Sequence, residues 1–295
     1  MQERLLTGSH DLEAATTLLR RVRAAHPTAG TLEAADLQWW WRTPRSTDDL
    51  PQLFWFDRSG RPEAAVVATD WGDGIALDPI LVPNASPDRV AYVIERGLAH
   101  AGELGFGAVD VVIDRADHAM RETLVRQGFV DEHAEQLEVV VAWLEAAARP
   151  PVGPLHEGYR SCSRRDALHR PHHLIARNGP EVEARLRQTS LYRHDLDLLV
   201  LDDRDAVAEY GLFWFDPDTA TGLVEPMRTE DDHQRRGLAR HVLTKGVDLL
   251  AAAGAKRIKV CFRPGDEAAR ELYLGVGFVP DKQTAVLVKR GLPTA

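Results

Sequence analysis

Three arginines, Arg235, Arg236 and Arg240, surround a single glycine, Gly237, in the stretch "EDDHQRRGLARHVL" from Glu230 to Leu243. Acidic residues suit a helix N-terminus better than basic ones, so arginines opening a helix-like run need an anionic partner. A strand, a tight loop and a helix start place several free backbone N–H groups at one point. Those donors, together with the helix dipole, make an anion site. With no Cβ, Gly237 lets the backbone come close to the anion, and the arginines turn favourable once phosphate is bound. The loop is shaped for a pyrophosphate. A solvated helix start whose glycine only eases packing has the same pattern, so context must decide. The Gly-Lys-Ser/Thr of a Walker loop is absent, as is a G-x-G-x-x-G after the first strand of a dinucleotide unit.

The elements around this loop repeat. Leu223 to Thr229 reads as a strand and Arg236 onward as a helix. On the strand, Glu225 alternates with Met227 and Thr229 along one face. Pro226 interrupts the ladder and predicts a bulge. Downstream, "EAARELYLGVGFVPDKQTAVLVK" matches the earlier "HAMRETLVRQGFVDEHAEQLEVVV" in order: short helix, Gly-Phe turn, strand-like run. Upstream of these, "GVDLLAAAGAKRIKVCF" matches "GLAHAGELGFGAVDVVI" at the same offset of 149 residues. Each half also holds a hairpin, turning at Asp57–Pro62 and at Asp202–Asp205. Helix-like segments precede them, "DLEAATTLLRRVRAAH" and "GPEVEARLRQTSLY". Chance similarity of two α/β domains is the alternative; the shared order and spacing favour duplication. The joint is Ala148–Gly158, rich in Pro and Gly. The expected fold is α/β with a mixed sheet, in two tandem domains, 1–150 and 151–295.

A chain of 295 residues has room for two such cores. The net charge of -9 argues against nucleic acid as the main partner, since a phosphate backbone rewards a basic face. Cys162 and Cys261 form no C-x-x-C pair, which argues against a zinc knuckle or dithiol centre. A reducing cytoplasm is the simpler setting. The opening "MQERLLTGSHDLEAA" has no apolar signal core, and no apolar run approaches the roughly 20 residues that span a bilayer. The expectation is a cytoplasmic protein, monomer or homodimer, with neither nucleic acid nor membrane as partner.

With that context, "QRRGLA", Gln234 to Ala239, resembles the Q/R-x-x-G-x-G/A acyl-CoA loop of the GNAT N-acetyltransferases. "DEAARELYLGVGF", Asp266 to Phe278, is similar to that family's N-x-x-A-x-x-L-Y-x-x-x-G-F segment. The resemblance spans about 150 residues of the second half, and more faintly the first. It implies acetyl-CoA as co-substrate, an amine as acceptor and direct transfer in a ternary complex; a small molecule is the expected acceptor, and no metal is expected. It implies a co-substrate site of Met227, Arg228, Thr229, Gln234, Arg235, Arg236, Gly237, Leu238, Ala239, Arg240, Asp266, Ala269 and Tyr273. Asp266 stands where the family often has Asn, which loses a donor and keeps an acceptor.

Acyl transfer from a thioester to an amine asks that the amine lose a proton, the oxyanion be stabilised and the thiolate be protonated. The resemblance assigns the last task to Tyr273 and the oxyanion donor to the backbone around Met227. Glu225, facing the same cleft, is the expected general base, with His233 and Asp266 as alternatives. A non-catalytic acyl-CoA sensor built on the same loop is the other reading, and Tyr273 separates the two because a pure binder needs no thiolate acid.

The first half keeps little of this. At the 149-residue offset Tyr273 falls on Leu124 and Gly237 on Asp88. A two-residue slip sets Asp78-Pro79 against Glu225-Pro226. This half therefore reads as a degenerate copy. Trp39, Trp40 and Trp41 cannot all face one core on a helix, and interdomain packing is the plain expectation. "LFWF" at Leu53–Phe56 and Leu212–Phe215 reads as hairpin core, with Trp214 a candidate for the acceptor side. His172 and His173 lack a spaced partner in sequence, so no metal site is expected.

Overall fold

A computed structural model describes residues 2–132 and 138–293. Along the chain come β1 (Gln2–Leu6), α1 (Ser9–Ala25), α2 (Ala34–Trp40), β2 (Gln52–Phe56), β3 (Pro62–Asp70), β4 (Ile75–Leu81), α3 (Pro87–Glu103), β5 (Ala108–Asp114), α4 (His118–Arg126), β6 (Val130–Glu132) and β7 (Val140–Glu145). Then follow β8 (Arg160–Ser163), α5 (Ile175–Asn178), α6 (Val182–Leu186), β9 (Asp197–Leu201), β10 (Val207–Asp216), β11 (Thr221–Thr229), α7 (Leu238–Ala253), β12 (Arg257–Phe262), α8 (Glu267–Val276) and β13 (Val279–Arg290). The second run repeats the first, and both build a mixed α/β sheet.

Two compact units form, and each takes its last strand from the other half of the sequence. The first comprises residues 1–37, 44–139 and 282–295. Its sheet runs β1-β2-β3-β4-β5-β13, with β6 on β13. The second comprises Gln38–Thr43 and Val140–Asp281, with sheet order β7-β12-β11-β10-β9-β8. So β7, which precedes the joint, pairs antiparallel with β12 from Arg257↔Glu145 to Phe262↔Val140. The chain's final strand pairs with β5 from Thr284↔Asp114 to Arg290↔Ala108. The units therefore depart from the halves 1–150 and 151–295 at both ends. Pairing is decided by which strand edge is open, not by which half of the sequence is nearer.

In the second unit, α7 shows a buried stripe of Leu238, Val242, Leu243, Val247 and Leu250. That spacing is the apolar face of a surface helix. It packs on Phe213 and Phe215 of β10 and on Val224, Ile258 and Val260. The joint's middle, residues 151–158, forms neither helix nor strand. It lies along α7, where the Gly153 N–H donates to Thr244 Oγ1 (2.9 Å) and the Gly153 carbonyl meets His241 Nδ1 (2.7 Å).

Both hairpins turn where expected. The stretch "GPEVEARLRQTSLY" does not stay helical. The α6 helix stops at Leu186, whose carbonyl accepts from the Thr189 hydroxyl at 2.7 Å, and turns follow. A hydroxyl bonding back to the carbonyl three residues earlier competes with helix continuation. Among the tryptophans, Trp39 and Trp41 are buried and Trp40 half-buried. The Gln38–Thr43 segment packs within the second unit: Trp39 lies edge-on to Trp214 (6.4 Å), Arg185 stacks on Trp41 (3.7 Å), and Trp41 Nε1 donates to Gln188 (2.9 Å). No described helix is long and apolar enough to cross a membrane.

Candidate active site

β11 and β12 run parallel in register only from Thr221↔Arg257 to Val224↔Val260. Beyond Val224 the strands part. On its other edge, β11 carries a one-residue bulge between Val224 and Met227, opposite Gly211 and Phe213 of β10. This is the bulge expected at Pro226, which offers no N–H to the ladder. The Glu225 carbonyl is held by Trp214 Nε1 at 2.7 Å. The result is a V-shaped opening whose wall is Glu225–Thr229. Backbone groups there that face away from β10 have lost their strand partner. Met227 lies on that wall beside Gly211 and partly buried in the core.

The helix beyond the wall begins at Leu238, two residues later than the sequence suggests. Arg235 (φ 62°) and Gly237 (φ 75°) are both left-handed and hold the chain out of the helix. Gly237 is the N-cap residue, and no side chain caps α7. A Cβ placed on Gly237 would meet nothing within 4 Å. The first N–H groups of α7 are thus open beside exposed Arg235, Arg236 and Arg240, with Ala239 half-buried and Leu238 buried. An uncapped N-terminus flanked by arginines is an anion-binding geometry.

Neighbouring groups hold Arg236, Arg240 and Arg228. Arg236 Nη1 donates to the Tyr159 hydroxyl (2.6 Å), which in turn meets His233 Nδ1 (2.9 Å). His233 is therefore a support for the loop's arginine, held 3.9 Å from Asp202. Arg240 donates to the Gly275 carbonyl (3.1 Å), tying α7 to α8. Arg228 pairs with Asp231 (2.7 Å), and Gln234 donates to the same carboxylate (3.2 Å). Asp266 caps α8 by accepting from the Ala269 N–H (2.9 Å). Its carboxylate is thus committed to the helix.

Tyr273 sits on α8 with 8% exposure, between Phe262 (5.8 Å) and Phe278 (5.9 Å). Its phenol is pushed above the ordinary range, first by burial, then by the negative charge of Glu225 and next of Glu209. It therefore stays protonated at neutral pH, the form a thiolate acid must have. Glu225 is half-buried and near enough to act on that hydroxyl.

Glu209 escaped sequence reasoning. It is fully buried on β10, paired with Thr229 of β11. One carboxylate oxygen takes the Thr229 hydroxyl; the other has no partner among the described residues. Burial, the largest influence, raises its pKa to about 8. Its signal was a lone acid in the apolar run "AVAEYGLFWF". Tyr159 also went unnoticed, because its partners lie more than seventy residues away.

His172 and His173 find the partner that sequence spacing did not offer. Asp197 lies 3.3 Å from Nε2 of each ring, and the three have ligand atoms within 4.8 Å of one another. The Leu174 N–H donates to His172 Nδ1 (3.2 Å), which puts the neutral ring's proton on Nε2. That nitrogen then faces Tyr192 (3.1 Å) as a donor, not a ligand. Tyr192 donates to Asp197 (2.8 Å). Burial lowers the His173 pKa to about 4, so this ring is neutral. His172, Tyr192 and Asp197 form a buried hydrogen-bond network, while both His173 ring nitrogens and Asp197 Oδ1 have no hydrogen-bond partner among the described residues.

The first unit lacks the uncapped helix start and the tyrosine. There α3 opens with Ser86, whose hydroxyl accepts from the Arg89 N–H (3.3 Å), so a side chain occupies what α7 leaves open. Arg89 is paired with Glu63. Leu124, at the place of Tyr273, is fully buried.

Residues 155–278 match the acetyltransferase (GNAT) family. A mycothiol acetyltransferase of Beutenbergia cavernae is 33% identical over 95 residues, covering 32% of this chain and 31% of that protein. The match thus spans about a third of this curated relative. Among solved structures, a tandem GNAT protein from the clavulanic acid biosynthesis pathway aligns over 100% of this chain and 99% of its own, with TM-score 0.71 and 13% identity. A GCN5-related N-acetyltransferase from Sphaerobacter thermophilus aligns over 100% and 96%, with TM-score 0.60 and 14% identity. At such identities the likeness is one of fold.

Proposed function

We propose that the second unit, whose residues 155–278 match the acetyltransferase (GNAT) family, transfers an acetyl group from acetyl-CoA to a primary amine of a small molecule. The carrying observation is the conjunction of the opening beyond Val224, the uncapped α7 start at Gly237, and the protonated Tyr273 beside Glu225. Pyrophosphate lies on the N–H groups of residues 235–240 and among Arg235, Arg236 and Arg240. The pantetheine arm enters the V along Met227–Thr229. The amine attacks the thioester carbonyl directly. Glu225 takes the ammonium proton, through a water where it does not reach. The backbone at Met227 faces the oxyanion. Collapse of the intermediate breaks the C–S bond, and Tyr273 protonates the leaving thiolate. Asp266 serves as the α8 cap.

The test is CoA release by the full chain with acetyl-CoA and a panel of primary amines, including acceptors of the mycothiol acetyltransferase type. Acceptor-dependent thiol release with a matching acetylated product is expected. Tight acetyl-CoA binding with no turnover on any amine would instead favour an acyl-CoA sensor.

A further inference from the structure

The first unit has its own opening. β4 pairs in parallel with β5 only at Ala76↔Asp110, while its other edge stays on β3 out to Leu81. A cavity of about 310 Å³ occupies the space where the strands part. Leu19 and Val22 of α1, Ile80 of β4 and Met120 of α4 give it apolar walls. Its ionisable lining is one-sided: Asp78, Asp114 and Asp117, with no Lys, Arg or His. Asp114 and Asp117 each accept a backbone N–H, from Ala116 and Met120. Asp78 differs. It is 7% exposed, and its Oδ2 has no hydrogen-bond partner among the described residues. A buried carboxylate oxygen without a partner is costly.

We propose that this cavity is a separate binding site for a small molecule carrying a primary ammonium on an apolar body, with Asp78 as the charge partner. The volume is at the lower end for ligand sites. An ammonium would pair with the Asp78 carboxylate, which lines the cavity and has one oxygen unpartnered among the described residues, while its carbon chain covers the α1 and α4 walls. Burial and the neighbouring Asp110 and Asp36 raise the Asp78 pKa to about 7, and a cation relieves that crowding of acids. Acyl-CoA is the wrong ligand: its pyrophosphate would meet a capped α3 start with Asp88 in the first turn and an acidic cavity. The site does not depend on the reaction proposed for the second unit.

The chain has three methionines; Met120 lines this cavity and Met227 lies on β11 of the other unit. Methyl-¹³C methionine labelling, with Met120→Leu and Met227→Leu spectra for assignment, therefore reports the two sites separately. Hexylammonium chloride should shift the Met120 methyl saturably. Hexanol and hexanoate should bind there at least about tenfold more weakly, the scale of one lost charged hydrogen bond. Acetyl-CoA should move Met227 and leave bound hexylammonium in place. Asp78→Asn should weaken hexylammonium by about tenfold or more. The proposal is overturned if hexylammonium leaves Met120 unmoved, if hexanol binds as well, or if acetyl-CoA displaces hexylammonium. Should Asp78→Asn not fold, the comparison of amine, alcohol and acid on the unaltered chain still decides.

Discussion

Glu209→Gln tests how burial and charge are balanced beneath the β11 wall. Glu209 is fully buried, with one oxygen bonded to Thr229 and the other unpartnered. Its pKa rises from 4.5 to about 8 in the folded chain, burial being the main cause. The sign follows from proton counts. Below pH 4.5 both folded and unfolded states hold the proton, and the group carries no penalty. As pH rises, the unfolded chain ionises first while the folded one keeps its proton, so stability falls until about pH 8 and then levels off. Each pH unit in that window removes at most about 1.4 kcal/mol. Allowing for relaxation, the loss between pH 5 and 8 is on the order of 3 kcal/mol. Glutamine keeps the shape, still meets the Thr229 hydroxyl and cannot ionise. Urea unfolding of both proteins at pH 5, 6, 7 and 8, followed by tryptophan fluorescence, gives the comparison. The variant should lie within about 1 kcal/mol of the parent at pH 5, where only a neutral hydrogen bond changes, and exceed it by on the order of 3 kcal/mol at pH 8. Asp11, Asp78 and Asp110 are also raised, to about 8, 7 and 6. They are common to both proteins and cancel in the difference. Parallel stability curves, or a variant weaker at pH 8, would refute a neutral buried Glu209.

Tyr273→Phe removes the hydroxyl and keeps the ring between Phe262 and Phe278; turnover should fall about 10²–10⁴-fold with acetyl-CoA affinity nearly unchanged, as steady-state kinetics and calorimetry would show. Full turnover with chemistry rate-limiting would exclude Tyr273 as the acid. Glu225→Gln should slow the reaction most at low pH, where free amine is scarce, and least at high pH; a defect constant with pH would make Glu225 a positioning residue. Gly237→Asp meets no neighbouring atom within 4 Å, though its left-handed φ of 75° costs an aspartate about 1–2 kcal/mol, so the fold should survive while the added negative charge at the α7 start weakens acetyl-CoA binding at least about tenfold; parent calorimetry should give one site per chain, and two sites would overturn the contrast with Ser86-capped α3. Gly246→Ala places a Cβ 2.1 Å from the Phe213 ring, and should lower the urea midpoint by an amount worth about 1–3 kcal/mol.

Local chemistry is what the sequence determined. The arginines around Gly237, the proline in the strand "GLVEPMRT" and the periodicity of α7 act over a few residues, and the structure places loop, bulge and helix within two residues of the expected positions. The repeat at 149 residues likewise gave the order of elements in both units. Partners chosen over long distances were decided only by tertiary structure. The pairings of β7 with β12 and of β5 with β13 join strands more than a hundred residues apart. Backbone hydrogen bonding is the same for any strand, so the sequence does not say which open edge each will fill. His172 and His173 needed Asp197 brought beside them, and Arg236 needed Tyr159. Glu209 illustrates the general cause. Its identity is plain in the sequence, but its protonation is set by how much water the packed strands exclude, and that depends on surfaces drawn from several elements at once.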